Sequence, residues 1–412
     1  MGQEEREPSG PPRFPVSVSG RRPSRDASVP RIDTLLTGLY PQARADDRSR
    51  HVESGDFTSM NSEATAPAAA TTRTPRDRPP ITVFGASGRT GRFVVSELRR
   101  RGWTPILAGR DGAKLSAVAD GQSRSEIRVA SIDDPASLER AIAGSAAVLN
   151  CAGPFLDTAP GIIDAALRAR VHYLDVTAEQ MSALRTFERF ETPGLDLGVV
   201  IAPAMGFYGG LGDLLATAAM SDWADADELD IAVGLDSWWP TLGTRLTGER
   251  NVFRRYVFSG GKLEFAPDPR PRRTWTFPAP LGKQEVELAV FSEIITISRH
   301  LRSPEIHSYM NLAPLEDVNN PNTPEPTATD ESGRSAQTFV LDVIVRKGGK
   351  ERHASARGRD IYAVTAPIVV EVMEWILDGR AKTTGTATAG ELVDARGFLE
   401  ALSPEHVDLE FR

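Results

Sequence analysis

Three glycines, at 85, 88 and 91, separate a short apolar run from an amphipathic one. The intervening residues, Gly85, Ala86, Ser87, Gly88, Arg89, Thr90 and Gly91, have the types and spacing of a turn that holds phosphate. Gly85 permits a tight strand-to-helix turn, Gly88 lets backbone approach a pyrophosphate, and Gly91 allows close helix packing. The first amides of the following helix lack internal partners and carry partial positive charge, which suits an anion. Ile81 to Phe84 reads as a buried strand. Arg92 to Arg101 reads as a helix whose buried face is Gly91, Val94, Val95 and Leu98. Strand, turn and helix in this order predict a dinucleotide site.

Arg110 lies 19 residues beyond Gly91, at the end of a second strand over Thr104 to Ala108. An acidic residue there would grasp the ribose 2′-hydroxyl of NAD. Arginine favours the 2′-phosphate of NADP instead, through charge-assisted forked bonds, with Lys114 as a second cation. Asp111 next to it keeps NAD as the less favoured alternative. A third strand over Ile127 to Ile132 places Asp133 where it can contact adenine. A fourth, from Ala146, runs into Cys151, Ala152, Gly153 and Pro154, which should line the nicotinamide side of the sheet. Cys151 has no evident basic partner, so a nucleophilic role is not expected of it. Reduction needs a proton as well as a hydride. The expected donors near that edge are Tyr173, Asp175, Glu179 and Tyr208, although Asp175 could equally cap the next helix.

Alternating strand and helix from residue 80 onward predicts a Rossmann-type, doubly wound parallel α/β sheet. Residues 80–225 are assigned to it, with further strands at Leu195 to Ala202 and, in a second α/β domain over 226–358, at Glu228 to Leu235, Glu285 to Phe291 and Thr338 to Arg346. Leu315 to Ser335 reads as a mobile loop. Phe291 to His300, His307 and Tyr309 are placed to turn polar groups toward the cleft. In the segment 359–412 helices return to the first domain, Pro367 suiting a helix's first turn and Tyr362 and Thr365 facing the cleft. Residues 1–79 contain 12 arginines and no lysine, lack sustained periodicity and read as a disordered extension, with Met60 as a candidate start. Arginine exceeds lysine 42 to 6 over the chain, as a GC-rich genome would produce.

Composition narrows the classes. A net charge of −8 argues against nucleic acid as a partner. Cys151 is the single cysteine, which excludes an intrachain disulfide and a cysteine-built metal site. No zinc triad is evident, since His300 and His307 lack a third ligand at suitable spacing, and no metal is expected. No run is apolar enough for a bilayer span. The expectation is a cytoplasmic protein acting on a small molecule, with a possible homodimer surface among the aromatic residues of the second domain.

Four stretches together carry a family resemblance: Gly85 to Gly91, Leu107 to Arg110, Asn150 to Phe155, and His172 to Thr177. In this order they resemble the saccharopine dehydrogenase-like oxidoreductases, a group that includes trans-acting enoyl reductases. The resemblance implies an NADP-binding Rossmann domain with a second α/β domain inserted before the chain returns. It implies hydride transfer, with a small imine or carbonyl as the natural substrate. A carrier-bound enoyl chain, or a non-catalytic NADP sensor, are the alternatives. The family tends to have an aspartate two residues after the glycine matching Gly206; this chain has Tyr208 there and retains Asp213.

Overall fold

The computed structural model describes residues 78–119 and 125–412. Nearly all of the leader read as an extension, Met60 included, lies outside the described residues. In chain order the elements of the first half are β1 (Ile81–Phe84), α1 (Arg89–Arg100), β2 (Pro105–Gly109), α2 (Gly112–Ala119), β3 (Glu126–Val129), α3 (Pro135–Ile142), β4 (Ala147–Asn150), α4 (Phe155–Ala169), β5 (His172–Asp175), α5 (Gln180–Leu197) and β6 (Val200–Ala202). There follow α6 (Gly210–Met220), β7 (Glu228–Leu235), α7 (Leu242–Arg250), β8 (Tyr256–Ser259), β9 (Lys262–Phe265), β10 (Arg272–Thr276), β11 (Lys283–Leu288), α8 (Glu293–His300), β12 (Ile306–Asn311) and α9 (Leu312–Asn319). The chain closes with β13 (Thr338–Lys347), β14 (Lys350–Arg359), α10 (Ile361–Leu377), β15 (Gly385–Thr386), α11 (Ala389–Leu392), α12 (Ala395–Leu402) and β16 (Asp408–Phe411).

The first sheet is parallel throughout and ordered β15-β6-β5-β4-β1-β2-β3. This is the doubly wound order, reversing between β1 and β4, where ligands bind beyond the carboxyl ends of the strands. Helices cover both faces, which is why β1 and β4 are buried along their whole length. The second sheet has nine strands, ordered β10-β11-β12-β7-β13-β14-β16, with β8 and β9 branching from β12. A single apolar core runs from Val83 and Leu107 through α10 and α6 to Val340 and Phe398, so the two sheets share their packing. Helix α10 lies against α1, and β15 extends the first sheet beside β6. The chain's last strand, β16, instead pairs with β14 in the second sheet.

Several elements differ from their expected bounds. Leu195 to Leu197 end α5 rather than begin a strand, because Gly198 at φ 65° caps that helix and only Val200–Ala202 pairs. Pro367 stands inside α10, not in its first turn, since the helix starts six residues earlier at Ile361, capped by the buried Asp360, which accepts from the Tyr362 and Ala363 amides. Phe291 to His300 is largely α8, with Glu293 to Ser298 buried. Leu315 to Asn319, expected as loop, completes α9. Among the described residues no helix is long and apolar enough to cross a membrane.

Candidate functional site

The turn after β1 is shaped by contacts a side chain would destroy. Gly85 has φ +81°, and a Cβ there would lie 2.9 Å from the Ala152 backbone nitrogen, so the loops after β1 and β4 touch through it. A Cβ on Gly91 would lie 2.2 Å from the Gly85 carbonyl oxygen, which fixes how closely α1 enters the turn. Gly88, exposed, is the N-cap of α1 and offers no side-chain acceptor. The amides of Arg89, Thr90 and Gly91 therefore open beyond the sheet's carboxyl edge without intrahelical partners. Ala86 is buried beneath the turn, and Ser87 and Thr90 are half-buried. The cradle fits a pyrophosphate.

Arg110 is exposed at the end of β2, and among the described residues its guanidinium has no ion pair or hydrogen bond. Asp111 is otherwise engaged: its Oδ1 accepts from the Lys114 amide at 3.1 Å, and its Oδ2 lies 3.7 Å from Lys114 Nζ. The edge that would meet the ribose thus presents a free cation and a carboxylate held by its own helix. Asp133 is exposed beyond β3, with its Oδ2 3.3 Å from the Ser131 hydroxyl.

Arg89 departs from what its place in the turn suggests. Its guanidinium turns away from the open amides and donates to Asp360 Oδ2 at 2.6 Å and to the carbonyls of Pro326 and Gly333 at 3.1 and 3.2 Å. Only its backbone amide belongs to the cradle.

The nicotinamide side is organised by buried polar groups. Asn150 donates to Thr158 Oγ1 and to the Tyr173 hydroxyl, and accepts from the Ala152 amide at 3.0 Å, which sets the path of the chain after β4. Glu179 accepts from the Phe155 and Leu156 amides at 2.7 and 3.1 Å, placing a carboxylate at the N-terminus of α4. Burial raises its pKa, opposed by those two amides. Tyr173, fully buried, donates to Asp175 Oδ2 at 2.8 Å. Asp175 Oδ1 accepts from the Thr177 and Ala204 amides at 3.0 and 2.8 Å. Burial pushes Asp175 up to about 6 against those bonds, so near neutral pH it is mostly ionised.

Tyr173, Asp175 and Glu179, the expected proton donors, lie at this edge as hydrogen-bonded groups of the loops. Each is buried with its polar atoms committed to the scaffold, and none offers a free donor to a substrate. Asp175 does not cap α5 either; it joins the loops after β5 and β6. Cys151 is half-buried, and burial with the nearby Asp175 charge pushes its thiol up to about 12, which leaves it a lining residue without nucleophilic character.

Tyr208 is in the opposite condition. It lies on the loop after β6, stacked on Phe291 with ring centroids 4.2 Å apart, beside Trp238 at 5.6 Å and edge-on to Phe207 at 5.0 Å. Its hydroxyl is buried and has no hydrogen-bond partner among the described residues. Burial, with Tyr362 and Glu293 nearby, raises its pKa well above the ordinary phenol range, so it stays protonated. The loop is held by Thr365, whose Oγ1 accepts from the Phe207 amide at 3.1 Å, and by Glu293, which accepts from the Gly209 amide at 3.3 Å.

The second domain closes over this edge. A Cβ on Gly153 would lie 2.6 Å from Thr247 Oγ1, so α7 covers the β4 loop. Arg250, at the end of α7, pairs with Asp157 at 2.8 Å. The Tyr362 hydroxyl joins Trp238 Nε1 at 3.2 Å, Thr244 Oγ1 at 3.0 Å and the Trp239 carbonyl at 3.3 Å. Trp238, Thr244, Thr247 and Asp360 were not singled out from sequence. Their roles come from contacts between distant segments, and no local pattern announces them.

His300 and His307, considered earlier as cleft groups, serve elsewhere. His300 Nε2 lies 2.6 Å from Asp213 Oδ1, tying α8 to α6. His307 joins Glu228 and Asp230 in a group with the spacing of metal ligands. Arg273 and Arg346 both approach Asp230 Oδ2, within 2.8 and 2.5 Å, while its Oδ1 faces His307 Nδ1 at 3.4 Å.

Residues 81–193 match the family model for the saccharopine dehydrogenase NADP binding domain. A probable mitochondrial saccharopine dehydrogenase-like oxidoreductase of Arabidopsis thaliana is 26% identical over 211 residues, 47% of this chain and 46% of that protein. A human saccharopine dehydrogenase-like oxidoreductase is 29% identical over 145 residues, 31% of this chain and 34% of that one. A trans-acting enoyl reductase of Mycobacterium ulcerans is 29% identical over 133 residues, 31% of this chain and 32% of the relative. The alignments thus span a third to about half of these relatives' length. The apo saccharopine dehydrogenase (L-Glu forming) of Saccharomyces cerevisiae has the same fold, with a TM-score of 0.58 at 13% identity, covering 81% of this chain and 100% of that one. The likeness to the saccharopine dehydrogenase NADP binding domain thus rests on residues 81–193, the segment that carries the dinucleotide turn.

Proposed function

We propose that this chain is an NADP-dependent oxidoreductase that moves hydride between the cofactor and a small imine or carbonyl compound. The reaction would occur where the β4 loop meets the loop after β6 beneath α7. The observation that carries this reading is the Tyr208 hydroxyl, buried and without a partner among the described residues, at the carboxyl edge of a dinucleotide-binding sheet. A buried donor left unpaired costs about 1–3 kcal/mol. A substrate acceptor would remove that cost.

Each residue's work follows from its position. The α1 amides hold pyrophosphate, and Arg110 with Lys114 favours a 2′-phosphate. Asn150 and Glu179 fix Cys151 to Pro154 along the nicotinamide face. When bound, the nicotinamide supplies or accepts the hydride. Tyr208 hydrogen-bonds the substrate's carbonyl oxygen or imine nitrogen and gives its Oη proton as negative charge builds there. The raised pKa keeps that proton in place until then.

A second reading, reduction of an enoyl chain, is favoured by the apolar wall of Tyr208, Trp238 and Phe291. The test is cofactor binding by fluorescence, followed by NADPH oxidation with panels of imines, carbonyls and enoyl thioesters. Turnover confined to enoyl thioesters selects the second reading. NADPH binding without turnover on any panel selects a sensor.

A further inference from the structure

The guanidinium of Arg89 and the buried carboxylate of Asp360 join the dinucleotide turn to the cover over the cleft. Arg89 is the first residue of α1, so fixing its side chain fixes the amides that face phosphate. Asp360 is 0% exposed and has φ +58°, in the left-handed region that only a few residue types adopt readily. Its Oδ2 accepts from Arg89 at 2.6 Å and from the Ser335 amide at 2.7 Å. Its Oδ1 accepts from the Tyr362 and Ala363 amides at 3.0 and 3.1 Å. Two residues from Asp360, the Tyr362 hydroxyl holds Trp238, Trp239 and Thr244. Trp238 packs on Tyr208, and α7 rests on Gly153 through Thr247.

Helix α7, most of the cover, buries little of its own surface. None of the residues of α7 is buried, and Leu242 and Leu246 are 60% and 42% exposed. An element with so little apolar burial belongs to the low-stability end of a fold, where a modest bias changes its population.

We propose that Arg89 is a positioning residue, not a phosphate ligand, and that through Asp360 and Tyr362 it couples occupancy of the dinucleotide turn to closure of residues 238–250 over the cleft. The coupling rests on the cofactor reading above. It is reciprocal: a ligand that orders the turn steadies the cover, and a loosened cover weakens cofactor binding.

Hydrogen–deuterium exchange on the full chain, with and without saturating NADPH, tests it. In the wild type, NADPH should slow exchange both in the turn at 85–92 and in the cover at 238–250. Arg89→Ala should keep protection of the turn at saturation and lose that of the cover. Its affinity should fall by about two- to thirty-fold, equally for NADPH and NADH. Asp360→Asn is the companion variant, because asparagine tolerates positive φ and still caps α10 while presenting an NH2 group to Arg89. It should reproduce the loss of protection, and it decides the matter alone if Arg89→Ala does not fold. Cover protection unchanged in Asp360→Asn overturns the coupling. An affinity loss in Arg89→Ala confined to NADPH overturns it too, making Arg89 a 2′-phosphate ligand. Failure of the wild type to bind either dinucleotide instead overturns the cofactor reading.

Discussion

Asp175 ends β5 and Tyr208 follows the neighbouring β6 at the carboxyl edge of the first sheet, both buried, and their polar atoms are in opposite conditions. Asp175 accepts three hydrogen bonds and binds two loops together. The Tyr208 hydroxyl, on one of those loops, has no partner among the described residues. The difference separates scaffold from chemistry more sharply than residue type does. An aspartate at the end of a strand in a dinucleotide-binding sheet looks like an acid catalyst, yet here its bonding capacity is used to hold the loops. The tyrosine, among aromatic rings, looks like core and keeps a donor in reserve.

Tyr208→Phe should break this comparison most forcefully. General acid catalysis contributes about 10²–10⁴-fold, and turnover with an active substrate should fall by that order while NADPH affinity stays the same. Loss of an unpaired buried hydroxyl should leave the thermal midpoint unchanged or slightly higher. Full turnover in Tyr208→Phe would put the proton donor elsewhere. A fall in midpoint without a fall in turnover would make Tyr208 scaffold, like Asp175.

The dinucleotide turn was legible because its chemistry is local. Each glycine answers a backbone demand within a few residues, and the strand and helix either side carry their own periodicities. Strand β7 was likewise read with its observed bounds, Glu228 to Leu235. The loops after β5 and β6 were not legible. Asp175 finds the Ala204 amide 29 positions on, Glu179 finds Phe155 24 positions back, and Arg89 finds Asp360 271 positions on. No periodicity encodes such partners. Pro367 misled for a related reason: a proline rule for helix starts is local, whereas α10 is buried against both sheets and tolerates a proline inside.

Arg110 offers a second, smaller test of the same distinction between engaged and free groups. Losing one charge-assisted phosphate contact costs about 1.5–3 kcal/mol, roughly ten- to more than a hundred-fold in affinity. Arg110→Ala should weaken NADPH by that factor and leave NADH nearly unchanged, read by fluorescence titration of both cofactors. Equal loss for both would mean that Arg110 supports the fold of the β2 turn. The pattern is the reverse of that expected for Arg89→Ala, so the two arginines of the cofactor edge are distinguishable by one measurement.

The smallest effect should come from Asp175→Asn, and it tests the scaffold side of the comparison. Burial raises the Asp175 pKa from its ordinary value of 3.8 to about 6. A raised pKa means that the fold favours the neutral carboxyl. Its stabilising effect is complete below the unfolded value and is lost as pH rises through the folded one. Above that, holding the carboxylate in the interior costs roughly 2–3 kcal/mol relative to the neutral acid. Asparagine resembles the neutral form: its oxygen can accept from Thr177 and Ala204, and its NH2 can face the Tyr173 hydroxyl after that group rotates. Imperfect geometry should offset part of the gain, leaving a net change of about 1 kcal/mol, a few degrees of thermal midpoint. The midpoint of Asp175→Asn minus that of the wild type should therefore grow between about pH 4 and pH 6 and level off above pH 7. Turnover should stay close to wild type. A difference that is flat across this range would show that Asp175 does not titrate in the fold. A turnover loss matching that of Tyr208→Phe would return the aspartate to the chemistry.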